Sequence, residues 1–390
     1  MNKSKIVNVF WGLIFVCVFV QTNPNFSSYA SLVRNTFLIL TISLPIAIYL
    51  TTTGRQFPLF KILVFITLFL LMYFSVQNLL LDGTDFKMLI IFYIRIIFVG
   101  LLIVSLALLD IPKFVYVLDR FLFISAFFLY LQFSLSASGV GFINFHNIFF
   151  PWSNNYEIVS FGITRMNSFY MEPGAYGNIV GLLTALSLIL HNKIKKRHVF
   201  YSFSIIMSFA LSSFFFFILL VILSCCFVKR KNLIKSFIAS VFLSSIVVFI
   251  ALETGVFDYG YERLSNIESN GSANVKVDNF DAWKNYSLER KLFGQSIFVN
   301  SDVESVNSNG FLFYSLYYWG VIGLLLSFMP FLISVIRMNA KLAIFCVMLY
   351  ASRYSFNYPT GIFLVYFIIG LLYLRNETNL LSTEQREHLQ

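Results

Sequence analysis

Three features of the sequence point to an all-α polytopic integral membrane protein with about twelve transmembrane helices. Of its 390 residues 58% are hydrophobic and only 12% charged, with a mean hydropathy of +0.79. A soluble domain of this length carries roughly a quarter charged residues. Apolar stretches of about 20 residues recur from end to end, each long enough to cross a hydrocarbon core of about 30 Å. Basic residues gather in short clusters between these stretches, the pattern that orients helices in a bilayer.

Taken in order, the apolar runs give spans at 6–20, 36–50, 60–81, 86–109, 114–138, 174–191, 199–211, 213–228, 236–252, 310–335, 342–357 and 360–374. The first follows Lys3 and Lys5 but precedes no small-x-small cleavage site, so it reads as a retained helix. The charge-free run 199–228 is too long for one tilted span. A tight turn at Leu211-Ser212-Ser213 is expected to split it, which keeps Lys193 to Arg197 and Lys229 to Lys231 on the same side. With Arg55 to Lys61, Arg337 to Lys341 and Arg375 also inside, both termini are expected in the cytoplasm, the tail being 376–390. The whole chain, 1–390, reads as a single domain of an inner membrane.

Two outer loops are long, 139–173 and 253–309, and long loops in a compact protein usually serve function. They hold Trp152, Phe161, Trp283, Phe293 and Phe298, too many large apolar side chains for a solvated linker. Val277 to Phe293 is expected to form an amphipathic helix capped by Asp278, with Phe280 and Trp283 facing the membrane or protein.

The net charge of +10 does not imply nucleic acid, because the cations alternate with spans instead of lining a soluble face with exposed aromatics. Cys17, Cys225, Cys226 and Cys346 all fall in apolar runs, with neither a disulfide framework nor a CxxC metal pattern. No metal-ligand, Walker or Ser–His–Asp motif can be built on the outer loops, so neither metal nor cofactor is expected.

The residues that suit chemistry lie at the outer face. Arg165 to Gly174 (RMNSFYMEPG) opens the sixth span. Pro173 suits a first helical turn, where its missing N–H costs nothing, and Glu172 would then sit at the positive end of the helix dipole. This pairs a candidate acid or base, Glu172, with a candidate anion binder, Arg165; the plainer reading is a cap and a headgroup contact. Arg263 and Arg290 bring positive charge to the second loop, where the alternative is ion pairing with Glu262, Glu268 and Glu289. Arg353 is expected near the outer end of the eleventh span, and Arg95 near the middle of the fourth, where it bridges helices or lines a cavity. Arginine suits phosphate because its planar fork donates two parallel hydrogen bonds. Asp119-Arg120 reads as a structural pair near the inner face.

These segments resemble bacterial polysaccharide polymerases of the O-antigen polymerase (Wzy) type, which are related to the O-antigen ligases. The resemblance rests on Arg165 to Glu172-Pro173 entering a helix, and on a large outer loop containing Leu292-Phe293-Gly294. It rests also on Asn309-Gly310-Phe311-Leu312 followed by Trp319-Gly320-Val321-Ile322-Gly323. There are two departures. Phe214 follows Leu211-Ser212-Ser213 where relatives carry an arginine, and residues 253–309 hold no histidine, which favours polymerase over ligase.

The resemblance implies a glycosyltransferase that needs no metal and moves a growing glycan from undecaprenyl diphosphate to the next lipid-linked repeat unit. Glu172 and Arg165 would be catalytic, and Arg263, Arg290 and Arg353 would bind substrate. The expected partners are the undecaprenyl-diphosphate-linked oligosaccharide, membrane lipid and a chain-length regulator. A flippase of the same units is the main rival; it should show short outer loops and polar residues along a central cavity.

Overall fold

The computed structural model describes residues 3–20, 58–80, 86–151, 159–160, 163–228, 271–295, 310–354 and 358–387. Arg263, Asn309 and the spans expected at 36–50 and 236–252 lie outside them. Apart from one two-residue antiparallel pairing, the regular structure of these residues is helical. Among them, four helices are long and apolar enough to cross a membrane: Leu89–Leu109, Ile111–Ala137, Pro173–His191 and Phe311–Ile336. The chain packs as two compact units, Met1–Ser31 with Val115–Asp278, and Leu32–Phe114 with Asn279–Gln390.

The first unit holds α1 (Lys3–Phe19) and, from Val115 on, the helix Ile111–Ala137, numbered α5 because three helices of the second unit precede it. Phe15 and Phe19 of α1 pack on Phe121 of α5. Then follow α6 (Phe145–Phe149), the strand pair β1 (Val159–Ser160) and β2 (Ile163–Thr164), α7 (Pro173–His191), α8 (Lys196–Ile206) and α9 (Leu211–Cys225). Helix α7 is buried on nearly every side, as an apolar helix at the centre of a bundle must be. It lies so close to α9 that a Cβ on Gly177 would fall on the Ser213 side chain.

The run expected to split does so. α8 and α9 are separated by Met207–Ala210, slightly earlier than the serine turn, and Phe209 takes the left-handed conformation there (φ 51°). The Ser208 hydroxyl donates to Ser213 Oγ at 2.7 Å, closing the turn.

The second unit contains α2 (Pro58–Leu80) and α3 (Phe86–Arg95), which continues through a π-helical stretch, Ile96–Ile103, into α4 (Val104–Leu109). Together α3, the π-helix and α4 cover the span expected at 86–109. Arg95 stands at the change from α to π winding, 4% exposed, and π segments often mark functional positions. The remaining helices are α10 (Gly271–Lys284, whose last residues from Asn279 belong here), α11 (Leu288–Phe293), α12 (Phe311–Ile336), α13 (Ala340–Ala351) and α14 (Pro359–Glu387).

Three expectations need correction. Asp278 is not a cap: α10 begins at Gly271, and a break at Asn285–Ser287 starts a separate helix capped by Ser287, whose side chain accepts from the Arg290 N–H. Arg353 is not within a helix, because α13 ends at Ala351. Asp119 does not pair with Arg120. Neighbours on a helix point about 100° apart, and Asp119 turns inward to Arg197 while Arg120 stacks over Tyr116. Outside these corrections, α14 runs on past the span expected to end at 374 as far as Glu387.

Candidate functional site

In the first unit, the segment from Arg165 to Glu172 is held by a side chain the motif does not contain. Gln132, on α5 and fully buried, accepts the backbone N–H groups of Asn167 and Ser168 at 2.9 Å each. Its Nε2 donates to Ile143 O (2.7 Å) and Asn167 Oδ1 (3.0 Å), so both protons and the carbonyl oxygen of one amide are engaged. Asn167 Nδ2 in turn donates to Tyr170 O at 2.6 Å. Ser168 adopts φ 55°, a left-handed conformation costly for a residue with a Cβ, and its hydroxyl donates to Ser125 O at 2.8 Å. His146 shares a 2.9 Å hydrogen bond with Phe169 O; a carbonyl only accepts, so the proton is on Nδ1. Burial pushes the His146 pKa down, and the bond to Phe169 opposes it. The strain at Ser168 thus persists because the surrounding hydrogen bonds over-determine the segment.

This platform presents the two candidate groups. Arg165 follows β2 and is partly exposed. Glu172 is the N-cap residue of α7 with extended backbone, and Pro173 occupies the first helical turn. The Glu172 carboxylate does not cap the helix. Instead its Oε1 lies 3.7 Å from where a Cβ on Gly174 would stand, and Ser212 Oγ of α9 lies 3.4 Å from the same point. Carboxylate and hydroxyl therefore flank the first turn of α7, where the helix dipole favours an anion.

In the second unit, Arg290 and Arg353 are carried by two elements that both join the first half of α12. This helix breaks at Gly320 (φ 65°, ψ −170°). The three carbonyls before the break are all taken: Tyr317 O by the Gln295 N–H (3.0 Å), Tyr318 O by Gln77 Nε2 (2.5 Å) and Trp319 O by the Tyr73 hydroxyl (2.5 Å). Gln77 Nε2 also reaches Phe293 O, the end of α11, at 2.5 Å. A Cβ on Gly320 would lie 2.2 Å from Leu292 O, and one on Gly294 (φ 80°) 2.4 Å from Tyr318 O. Only glycine permits this crossing, and it joins two of the stretches on which the family resemblance rests.

Arg290, exposed on α11, lies over the Tyr286 ring at 5.8 Å, and the Tyr286 hydroxyl donates to that of Tyr317 at 2.8 Å. Arg353 follows Ser352, whose carbonyl accepts the Phe311 N–H at 2.8 Å and so ties the start of α12 to the turn after α13. The guanidinium carbon of Arg353 is 6.0 Å from the ring centroid of buried Tyr354.

A further cluster offers metal-ligand atoms within 4.8 Å of one another: Asp119, His191 and His198. The bonding around it opposes a cation. Asp119 Oδ2 already accepts from Arg197 at 2.8 Å, and Oδ1 from Ser187 at 2.7 Å. Lys195 Nζ and Arg197 Nη2 approach the two ring nitrogens of His191 at 3.0 and 2.6 Å. His198 Nδ1 accepts the Lys195 N–H (3.1 Å), which puts the proton of its neutral ring on Nε2, facing Ser187. Burial, then His191, drives the His198 pKa down to about 4, against the pull of Asp119. The cluster is an ion-pair knot joining α5, α7 and α8.

Sequence reasoning alone does not single out Gln132 or Gln77 as site residues. Their signal is a lone amide inside an apolar span, which must find a partner within the protein. No family model matches the chain. No curated protein matches it, and no solved structure does.

Proposed function

We propose that the chain is a polytopic inner-membrane polysaccharide polymerase with about twelve spans and both termini cytoplasmic. It moves a growing glycan from undecaprenyl diphosphate to a sugar hydroxyl of the next lipid-linked unit. The observation that carries this reading is the platform on which Arg165 and Glu172 are fixed, with the carboxylate at the N-terminus of α7. In the proposed reaction the acceptor oxygen bonds to the anomeric carbon, the bond from that carbon to the diphosphate oxygen breaks, and the acceptor proton passes to Glu172. Arg165 stabilises charge growing on the leaving diphosphate, while Arg263, Arg290 and Arg353 hold the two lipid-linked substrates. A chain-length regulator is the expected protein partner.

The broken helix α12 is the one observation that favours a transporter, since discontinuous helices often expose carbonyls to an ion. Here the carbonyls of Tyr317, Tyr318 and Trp319 already accept from Gln295, Gln77 and Tyr73, so the break receives α11 instead.

The test is the length of surface glycan in a strain lacking its own copy. Deletion should leave one capped repeat unit, wild type should restore a ladder, and normally expressed Arg165→Ala should stop again at one unit. Units trapped inside would favour a flippase, and an unchanged ladder after deletion would rule the polymerase out.

A further inference from the structure

On α5, Tyr116, Arg120, Phe123 and Phe127 recur at helical spacing along one exposed face. On α8, Lys196 and Val199 are exposed, and the Phe200 ring stacks on Phe123 of α5 with centroids 5.9 Å apart. Tyr130 closes the far side, its hydroxyl donating to Phe200 O at 3.0 Å, and Tyr201 donates to Asp119 O at the same distance. The two helices therefore meet in a seam walled by rings, three of whose apolar members (Tyr116, Phe123, Phe127) are each 48% exposed.

One end of this seam is strongly cationic. Arg120, Lys193, Lys195, Lys196 and Arg197 gather there, and the only acid within 115–123 or 187–203 is Asp119. That carboxylate is buried and engaged by Arg197, His191 and Ser187. Among the described residues no carboxylate pairs with Arg120, Lys193 or Lys196.

We infer that the seam between α5 and α8 holds an anionic phospholipid, with its phosphate between Arg120 and Lys196 and its acyl chains along Phe123, Phe127 and Val199. The occupant follows from complementarity. An apolar wall continuous with a cationic end matches one molecule carrying both hydrocarbon and a phosphate, and the net positive charge selects an anionic headgroup over a zwitterionic one. The Arg120 guanidinium lies 5.3 Å over the Tyr116 ring, so this cation rests directly against the aromatic wall. The proposal stands whichever reaction the outer residues perform.

Native mass spectrometry of the purified full chain, titrated with phosphatidylglycerol or phosphatidylcholine, tests it. Wild type should retain phosphatidylglycerol in preference. Arg120→Gln with Lys196→Gln should lose about fivefold per neutralised cation. The charge-preserving pair Arg120→Lys with Lys196→Arg should restore retention, which separates lost binding from lost folding. Lys284→Gln, on α10 of the second unit, should change nothing. Equal retention of the two lipids would overturn the proposal, as would an equal loss in Lys284→Gln. Displacement of the lipid by millimolar inorganic phosphate would also overturn it, by showing a free-phosphate site.

Discussion

The platform beneath Arg165 and Glu172 and the clasp beside Arg290 fix arginine-bearing segments by opposite means. In the first, one buried amide, Gln132, saturates two backbone N–H groups and holds Ser168 in a left-handed turn. In the second, two glycines let backbone lie directly on backbone, and Gln77 only completes the contact. A segment pinned by a side chain depends on one donor–acceptor set. A segment pinned by absent side chains tolerates nothing larger than hydrogen.

That contrast sets an order of mutational effects. Gly320→Ala and Gly294→Ala should be the most damaging, each adding a Cβ into backbone at positive φ and costing at least about 3 kcal/mol. Thermal unfolding in detergent reads this, and a midpoint near wild type would mean the crossing is looser than described. Gln132→Leu should cost about 3 kcal/mol, because it strands two buried N–H groups. Gln77→Leu should cost less, about 2 kcal/mol, since under-satisfied carbonyls are tolerated better than orphaned N–H groups. Equal losses in the same unfolding measurement would erase the distinction between the two pins.

The smallest effect belongs to the knot at the other end of α7. His198 is held neutral, with its pKa at about 4 against an ordinary value of 6.5. A base with a depressed folded pKa contributes full stability above 6.5 and loses it as pH falls from 6.5 towards 4. About 1 kcal/mol should disappear between pH 7.5 and 5.5. His198→Gln should flatten that slope in a pH series of melting temperatures, and an unchanged slope would assign it to other groups.

Local chemistry was legible in the sequence wherever it was self-contained. Pro173 after Glu172 marked a helix start, the uncharged run 199–228 required a break, and 86–109 had the length of one span. What the pattern could not reveal was pairing across elements. Asp119 stands next to Arg120 in sequence, although its partner is Arg197, 78 residues away. Asp278 looked like a cap because acids often are, yet the helix had already begun at Gly271. Gln132 and Gln77 stood in plain view inside apolar spans, but their partners lie on other segments.

The proposed chemistry is tested most directly with purified protein in vesicles supplied with lipid-linked repeat units on its outer face. Wild type should join units into longer glycan and release undecaprenyl diphosphate, one for each new bond. Glu172→Gln should bind the substrate and make no bond. Translocation of units without any new glycosidic linkage, or full elongation by Glu172→Gln, would contradict it.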